Sequence, residues 1–177
     1  MSKTLIKITL FSLFVLSSIS ITAFAQESYL LGPGDKVAIK VFGEDDLDIE
    51  TLLGSSGKLN YPFLGEITVT GLTVKQVEQV IERGLKGDYL VSPNVYAQVV
   101  EYRPFYILGE VNKPGSYPYQ PGMNVNQAVA LAGGLTQRAD DNEITVLQEG
   151  DKNVKKEATL TYKVNAGDTI TIAQRFF

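Results

Sequence analysis

The sequence predicts an α+β protein of two small mixed-sheet units, each carrying one helix. Three observations point there. Short stretches of alternating polar and apolar residues recur along the chain, and Gly- and Pro-rich turns separate them. Only two segments show apolar residues at helical spacing, and each opens on a residue type that caps helices. One such segment falls in each half, the pattern of a helix packed on a small sheet, twice over.

The N-terminus reads as a targeting segment. Lys3 and Lys7 form a basic start, an apolar run extends from Ile8 to Ile21, and Ala23-Phe24-Ala25 supplies a small-x-small site just before Gln26. These are the three parts of a secretory signal peptide. The apolar run is too short and too rich in Ser for a good membrane-spanning helix. Residues 1–25 are therefore assigned as a signal peptide, and the remainder suffices for one compact domain or two small ones.

In the first unit, Gly32-Pro33-Gly34-Asp35 forms a turn. Lys36 to Phe42 then alternates as a half-buried strand. Leu59, Tyr61 and Phe63 alternate after a second turn at Gly54 to Gly57, with Pro62 marking an edge or irregular strand. Thr73 is expected to cap a helix, with Gln76 placed three residues on as in a capping box. Val74, Val77, Ile81 and Leu85 share one face of that helix, and Gly84 and Gly87 mark its end. Val95 to Val100 returns to strand character.

The second unit opens with a strand over Phe105 to Val111 and a turn at Asn112-Lys113-Pro114-Gly115, where Gly is free to take positive φ. Asn124 is expected to cap a short helix through Val125, Ala128, Val129 and Ala132, which Gly133-Gly134 terminates. Ile144 to Leu147 is a further strand. In the tail, 158–162 and 168–172 are expected to pair as a hairpin. Gly34-Asp35 and Gly167-Asp168 form an internal echo, each a Gly-Asp turn launching an alternating strand.

Composition excludes several classes of function. The chain has no histidine and no cysteine. Ser-His-Asp and Cys-His catalysis, His-ligated metal sites, disulfides and a lipid-modified cysteine at position 26 are thereby ruled out. The formal charge is −4 and becomes more negative once Lys3 and Lys7 are removed. Without a basic cluster, nucleic acid is not an expected partner.

In order and spacing, several segments resemble bacterial outer-membrane polysaccharide export proteins, in which a polysaccharide-export domain precedes an SLBB domain of β-grasp type. They are Leu31-Gly32-Pro33-Gly34-Asp35, Gly57 to Ile67, Gly71-Leu72-Thr73, Pro93-Asn94-Val95, Gly109 to Tyr117, Ala128 to Thr136, and Ala166 to Phe177. The resemblance implies a polysaccharide-export domain over 26–102, an SLBB domain over 103–150, and a C-terminal β-hairpin over 151–177 that completes the fold. It implies a homo-oligomeric ring at the periplasmic side of the outer membrane, with polysaccharide as cargo and an inner-membrane copolymerase as partner. Many relatives carry a lipid-modified cysteine where this chain has Gln26, and larger ones continue into a membrane-crossing helix. This shorter form is expected to supply the periplasmic ring, with a separate outer-membrane β-barrel making the pore.

No catalytic, cofactor-binding or metal-binding residue is assigned, and no cofactor is expected. The acidic runs Glu44-Asp45-Asp46-Leu47-Asp48 and Asp140-Asp141-Asn142-Glu143 lack an EF-hand pattern and are expected to be solvated loops. No carboxylate pair stands out for glycan hydrolysis. Tyr96, Tyr102, Phe105, Tyr106, Tyr117 and Tyr119 are favoured as core or interface residues over sugar-stacking ones, so polysaccharide-binding positions stay unassigned. The competing reading is a periplasmic β-grasp module that binds a small ligand without a transport role. Mass spectrometry of the secreted protein should find Gln26 as its first residue; a start at Met1 would overturn the signal-peptide assignment.

Overall fold

The computed structural model describes residues 29–150 and 155–175; the signal peptide expected at 1–25 lies outside them. The first unit runs β1 (Lys36–Val41), β2 (Ile49–Leu52), β3 (Lys58–Tyr61), β4 (Gly65–Thr68), α1 (Val74–Leu85) and β5 (Val95–Glu101). β1 lies between β2 and β5 and is antiparallel to both, while β3 and β4 form a separate hairpin. Val37, Ile39 and Val41 turn inward from β1 to meet Leu53, Tyr61, Val77, Ile81 and Leu85 in one core. The Tyr61 hydroxyl donates to the Leu47 carbonyl at 2.9 Å, tying the hairpin to the turn after β1. Burial, and then the Asp48 charge, push its pKa up to about 12.

The cap of α1 forms as its spacing predicts. The Thr73 side chain accepts from Gln76 N–H, and the Gln76 side chain accepts from Thr73 N–H. The helix then does something its apolar face does not announce. β5 is an edge strand, and its outward donors need covering. Glu78 of α1 accepts the Ala97 N–H at 3.0 Å and pairs with Lys75 at 2.8 Å. Burial works against the Glu78 charge, but Lys75 and the Ala97 N–H outweigh it and hold its pKa below the ordinary value.

The second unit runs β6 (Phe105–Gly109), β7 (Gly115–Tyr117), α2 (Val125–Leu131), β8 (Ala139–Leu147), β9 (Lys155–Ala158) and β10 (Thr169–Gln174), in the sheet order β7-β6-β10-β8-β9. A hairpin, a helix and a last strand that returns parallel beside the first make this a β-grasp arrangement. Val125, Ala128, Val129 and Ala132 pack on Phe105, Ile107, Ile144, Ile170 and Ile172. Gly109 must be glycine, because its φ is +84° and an added Cβ would sit 2.0 Å from the Ile172 carbonyl oxygen. No helix among the described residues is long and apolar enough to cross a membrane.

Five expectations need correction. The tail does not form a hairpin: β9 pairs with β8, whereas β10 inserts between β6 and β8. Both backbone edges of β10 are thereby paired, and its apolar Ile170 and Ile172 reach the centre of the core. The charged β9 takes the exposed sheet edge, where Lys and Glu discourage further pairing. Of the segment 158–162 expected to be extended, residues 159–162 leave the strand and instead complete the start of α2. Leu160 and Tyr162 carbonyls accept the Asn126 and Val125 N–H groups, donors that a helix cannot satisfy within itself.

Residues 140–143 are not a free loop but part of β8. Ala139 aligns with Gln174 and Ile144 with Ile172, so the acidic run bulges out of the ladder opposite Ala173 alone. Phe63 does not continue β3 either. It sits at the hairpin tip at φ +63°, exposed and stacked on Tyr89 with centroids 4.8 Å apart. Gly115 takes no positive φ; it starts β7.

Glu78→Gln should lower unfolding stability by about 1 kcal/mol at neutral pH, because a charge-assisted hydrogen bond becomes a neutral one. The folded pKa of Glu78 lies below its ordinary 4.5, so its contribution is present above that pH and disappears as pH falls through the folded value. Denaturant unfolding at neutral pH and well below 4.5 tests this. An equal deficit at both would rule out a role for the charge.

Candidate functional site

The two units meet at a three-residue linker, Tyr102-Arg103-Pro104, between β5 and β6. On either side of it stands a Gly-Asp turn, and the two turns are built alike. Gly34 and Gly167 take φ of +93° and +83°. Asp35 accepts the Gly32 N–H at 2.8 Å, and Asp168 accepts the Asn165 N–H at 2.8 Å. Each carboxylate therefore closes a turn over the residue three positions before it. Both are buried, at 0% and 1% exposure, which is unusual for a group that carries charge.

The linker is fastened to both turns. Pro104 O accepts the Gly167 N–H at 3.0 Å, and Tyr106 N–H donates to Asp168 O at 2.8 Å. On the other side, the Arg103 N–H donates to Asp35 Oδ1 at 2.8 Å. The Arg103 side chain then spans the joint. Nη1 donates to Asp35 Oδ2 at 2.7 Å and to the Tyr29 hydroxyl at 2.6 Å, while Nε donates to Glu149 Oε2 at 2.6 Å. The Tyr29 hydroxyl in turn donates to Asp35 Oδ1 at 2.6 Å. One guanidinium thus holds a carboxylate from each unit, as its planar fork of donors allows.

The electrostatics follow from this closure. Burial opposes the Arg103 charge, but Asp35, Tyr29 and Glu149 outweigh it and raise its pKa, so it is a permanent cation. Burial and the Asp35 carboxylate push the Tyr29 phenol upward, so it stays protonated and remains a donor. Burial raises Asp168 as well, against the N–H groups of Asn165 and Glu149.

Aromatic rings seal the joint. Tyr102 lies edge-on to Tyr29 at 4.8 Å and to Tyr119 at 5.7 Å, and Arg103 Cζ stands 5.4 Å from the Tyr29 ring centre. The six aromatics grouped by the sequence are therefore split. Tyr102 and Tyr119 join Tyr29 at the joint, and Phe105 stacks on Tyr117 inside the second unit. Tyr96 and Tyr106 stay exposed on strands of different units. Of the acidic runs, Asp48 accepts the Val41 N–H at 2.9 Å, and Asp140 closes a short turn to Asn142 N–H at 3.0 Å. Sequence reasoning missed Tyr29, Arg103 and Glu149. The signal that leads to them is the Gly-Asp echo, which marks two equivalent turns around one linker.

Fold and site together define a two-domain protein in which a three-stranded antiparallel unit is clamped to a β-grasp unit through one arginine. Residues 23–100 match the family of polysaccharide biosynthesis/export proteins, and residues 104–156 match the SLBB domain. The chain thus carries a polysaccharide biosynthesis/export segment followed by an SLBB segment.

Named relatives are in accord. The chain is 40% identical over 95 residues to the exopolysaccharide production protein ExoF of Rhizobium meliloti, covering 51% of this chain and 22% of that protein. It is 23% identical over 158 residues to the polysialic acid transport protein KpsD of Escherichia coli, covering 83% and 28%. It is 27% identical over 150 residues to the EPS I polysaccharide export outer membrane protein EpsA of Ralstonia nicotianae, covering 70% and 39%. The match thus spans between a fifth and two fifths of these relatives.

The two arms of the clamp should differ in weight. Arg103→Ala strands the fully buried Asp35 and should cost about 3–5 kcal/mol of unfolding stability. Glu149→Gln touches a carboxylate that is 38% exposed and should cost less than about 1 kcal/mol. Urea titration of both variants measures the contrast, and equal losses would refute this ranking.

Proposed function

We propose that this protein is an exported, non-catalytic component of a machine that carries capsular polysaccharide or exopolysaccharide across the cell envelope. It acts as a subunit of a homo-oligomeric ring at the periplasmic side of the outer membrane, with the polymer as cargo and an inner-membrane copolymerase as partner. The observation that carries this reading is the clamped pair of domains. Polysaccharide-export and SLBB units follow one another along the chain, which supports an export role. The relatives' names, which speak of exopolysaccharide production, polysialic acid transport and polysaccharide export, support the same role.

The physics of a ring supports it further. Closure needs identical angles at each subunit, and any play between domains accumulates around the circle. A joint held by a buried ion pair and three tyrosines limits that play. Head-to-tail contact also needs two unlike patches on each subunit. The exposed Phe63–Tyr89 stack on the first unit is one candidate. The shallow groove formed by Pro121, Met123, Ala130 and Leu131 on the second is the other.

In-frame deletion of the gene, with surface and periplasmic polysaccharide measured separately, tests the role. Surface polymer should vanish, periplasmic polymer should accumulate, and a plasmid copy should restore export. Unchanged pools in a strain without a paralogue would refute the export role.

A further inference from the structure

Above the Arg103 clamp lies a cleft of about 540 Å³, open to solvent and walled by both units. Pro33, Thr70 and Gly71 belong to the first wall, and Glu149, Gly150 and Asn165 to the second. Its size falls in the range of about 300–1,000 Å³ that holds small organic ligands, and such sites favour domain junctions. The walls mix apolar surface, from Pro33 and the half-exposed Leu30, with the neutral polar side chains of Thr70 and Asn165. A pyranose has the matching character, with C–H faces and hydroxyl edges. The charge beneath is decisive. Of the lining residues Arg103 brings one positive charge and Glu149 and Asp168 bring carboxylates, and the buried Asp35 beneath Arg103 adds another. A net negative floor repels carboxylate and phosphate groups.

We propose that this cleft binds an uncharged sugar residue of the exported polymer and disfavours uronate, sialate and phosphate groups. The choice of a sugar rests on the export reading; the discrimination against anions follows from the charge of the clamp. Because the walls come from different units, an occupied cleft also bridges the joint and stiffens it.

Gly150 offers a clean test. It lines the cleft, has no positive φ, and an added Cβ there meets no atom within 4 Å. Gly150→Trp therefore adds an indole at the cleft wall without a clash at its Cβ, and Asn165→Ala is the second variant, removing a polar lining side chain. The purified, isotopically labelled full chain is titrated with maltohexaose, an N-acetylglucosamine tetramer and hexagalacturonate, following backbone amide shifts.

The neutral sugars should shift Gly71, Gly150 and Asn165 with Kd of about 1 mM, and hexagalacturonate should bind at least about tenfold more weakly. Gly150→Trp should weaken the neutral sugars about tenfold or more, with an unchanged unfolding midpoint. Equal or tighter binding of hexagalacturonate overturns the proposal. So does the absence of shifts with both neutral probes at about 50 mM, or unchanged binding by a folded Gly150→Trp. If deletion abolishes export but neither neutral sugar binds, the cleft proposal falls and the export role stands. If neutral sugars bind while export survives deletion, the outcome is reversed.

Discussion

The carboxylate of Asp35 is fully buried, and it accepts four hydrogen bonds there, from Gly32 N–H, Tyr29 OH, Arg103 N–H and Arg103 Nη1. A charge withdrawn from water is tolerated only when its lone pairs are met and an opposite charge lies beside it. Each condition recruits a different part of the chain. The Gly32 N–H shapes the turn that launches β1, Tyr29 comes from the segment before it, and Arg103 comes from the far end of the unit. Satisfying one side chain therefore brings the N-terminal segment, the first strand and the inter-domain linker to one point.

The same linker serves the second domain through a turn of the same construction. Asp168 closes the segment entering β10, and Pro104 and Tyr106 bond to that turn through the backbone. The linker thus lies between two copies of one local structure, bound to one mainly by a side chain and to the other by its main chain. Arg103 adds the tie to Glu149, so a change in the angle between the domains breaks an ion pair and disturbs three packed tyrosines. The angle between the two domains thereby becomes part of the fold and not a matter of thermal drift.

Some of this was legible from residues alone because the physics is local. Thr73 with Gln76, and Asn124 at the start of α2, cap their helices through contacts spanning three residues. Val77, Ile81 and Leu85 share a face because of helical spacing, and Gly34 and Gly167 take positive φ where their turns need it. The tail shows the limit. Two alternating segments at 158–162 and 168–172 invite a hairpin, yet β10 is the more apolar and its best place is the middle of the sheet. The stretch at 159–163 then closes the start of α2, an N–H requirement set by another part of the chain. The Asp-rich run at 140–143 has loop composition, but its neighbours on both sides pair with β10, so it is carried as a bulge.

The sequence by itself determined the α+β class, both helices and their caps, the turns and most strands, because propensity, periodicity and capping act over a few residues. It also determined the absence of thiol and imidazole chemistry, which depends on composition alone. Only the tertiary structure decided that Arg103 meets Asp35 and Glu149, which lie 68 and 46 residues away, that Glu78 covers the edge of β5, and that β10 runs parallel to β6. Those are questions of which buried donor and acceptor find each other. Such partners are chosen by the desolvation of groups far apart in the chain, and no local pattern records that choice.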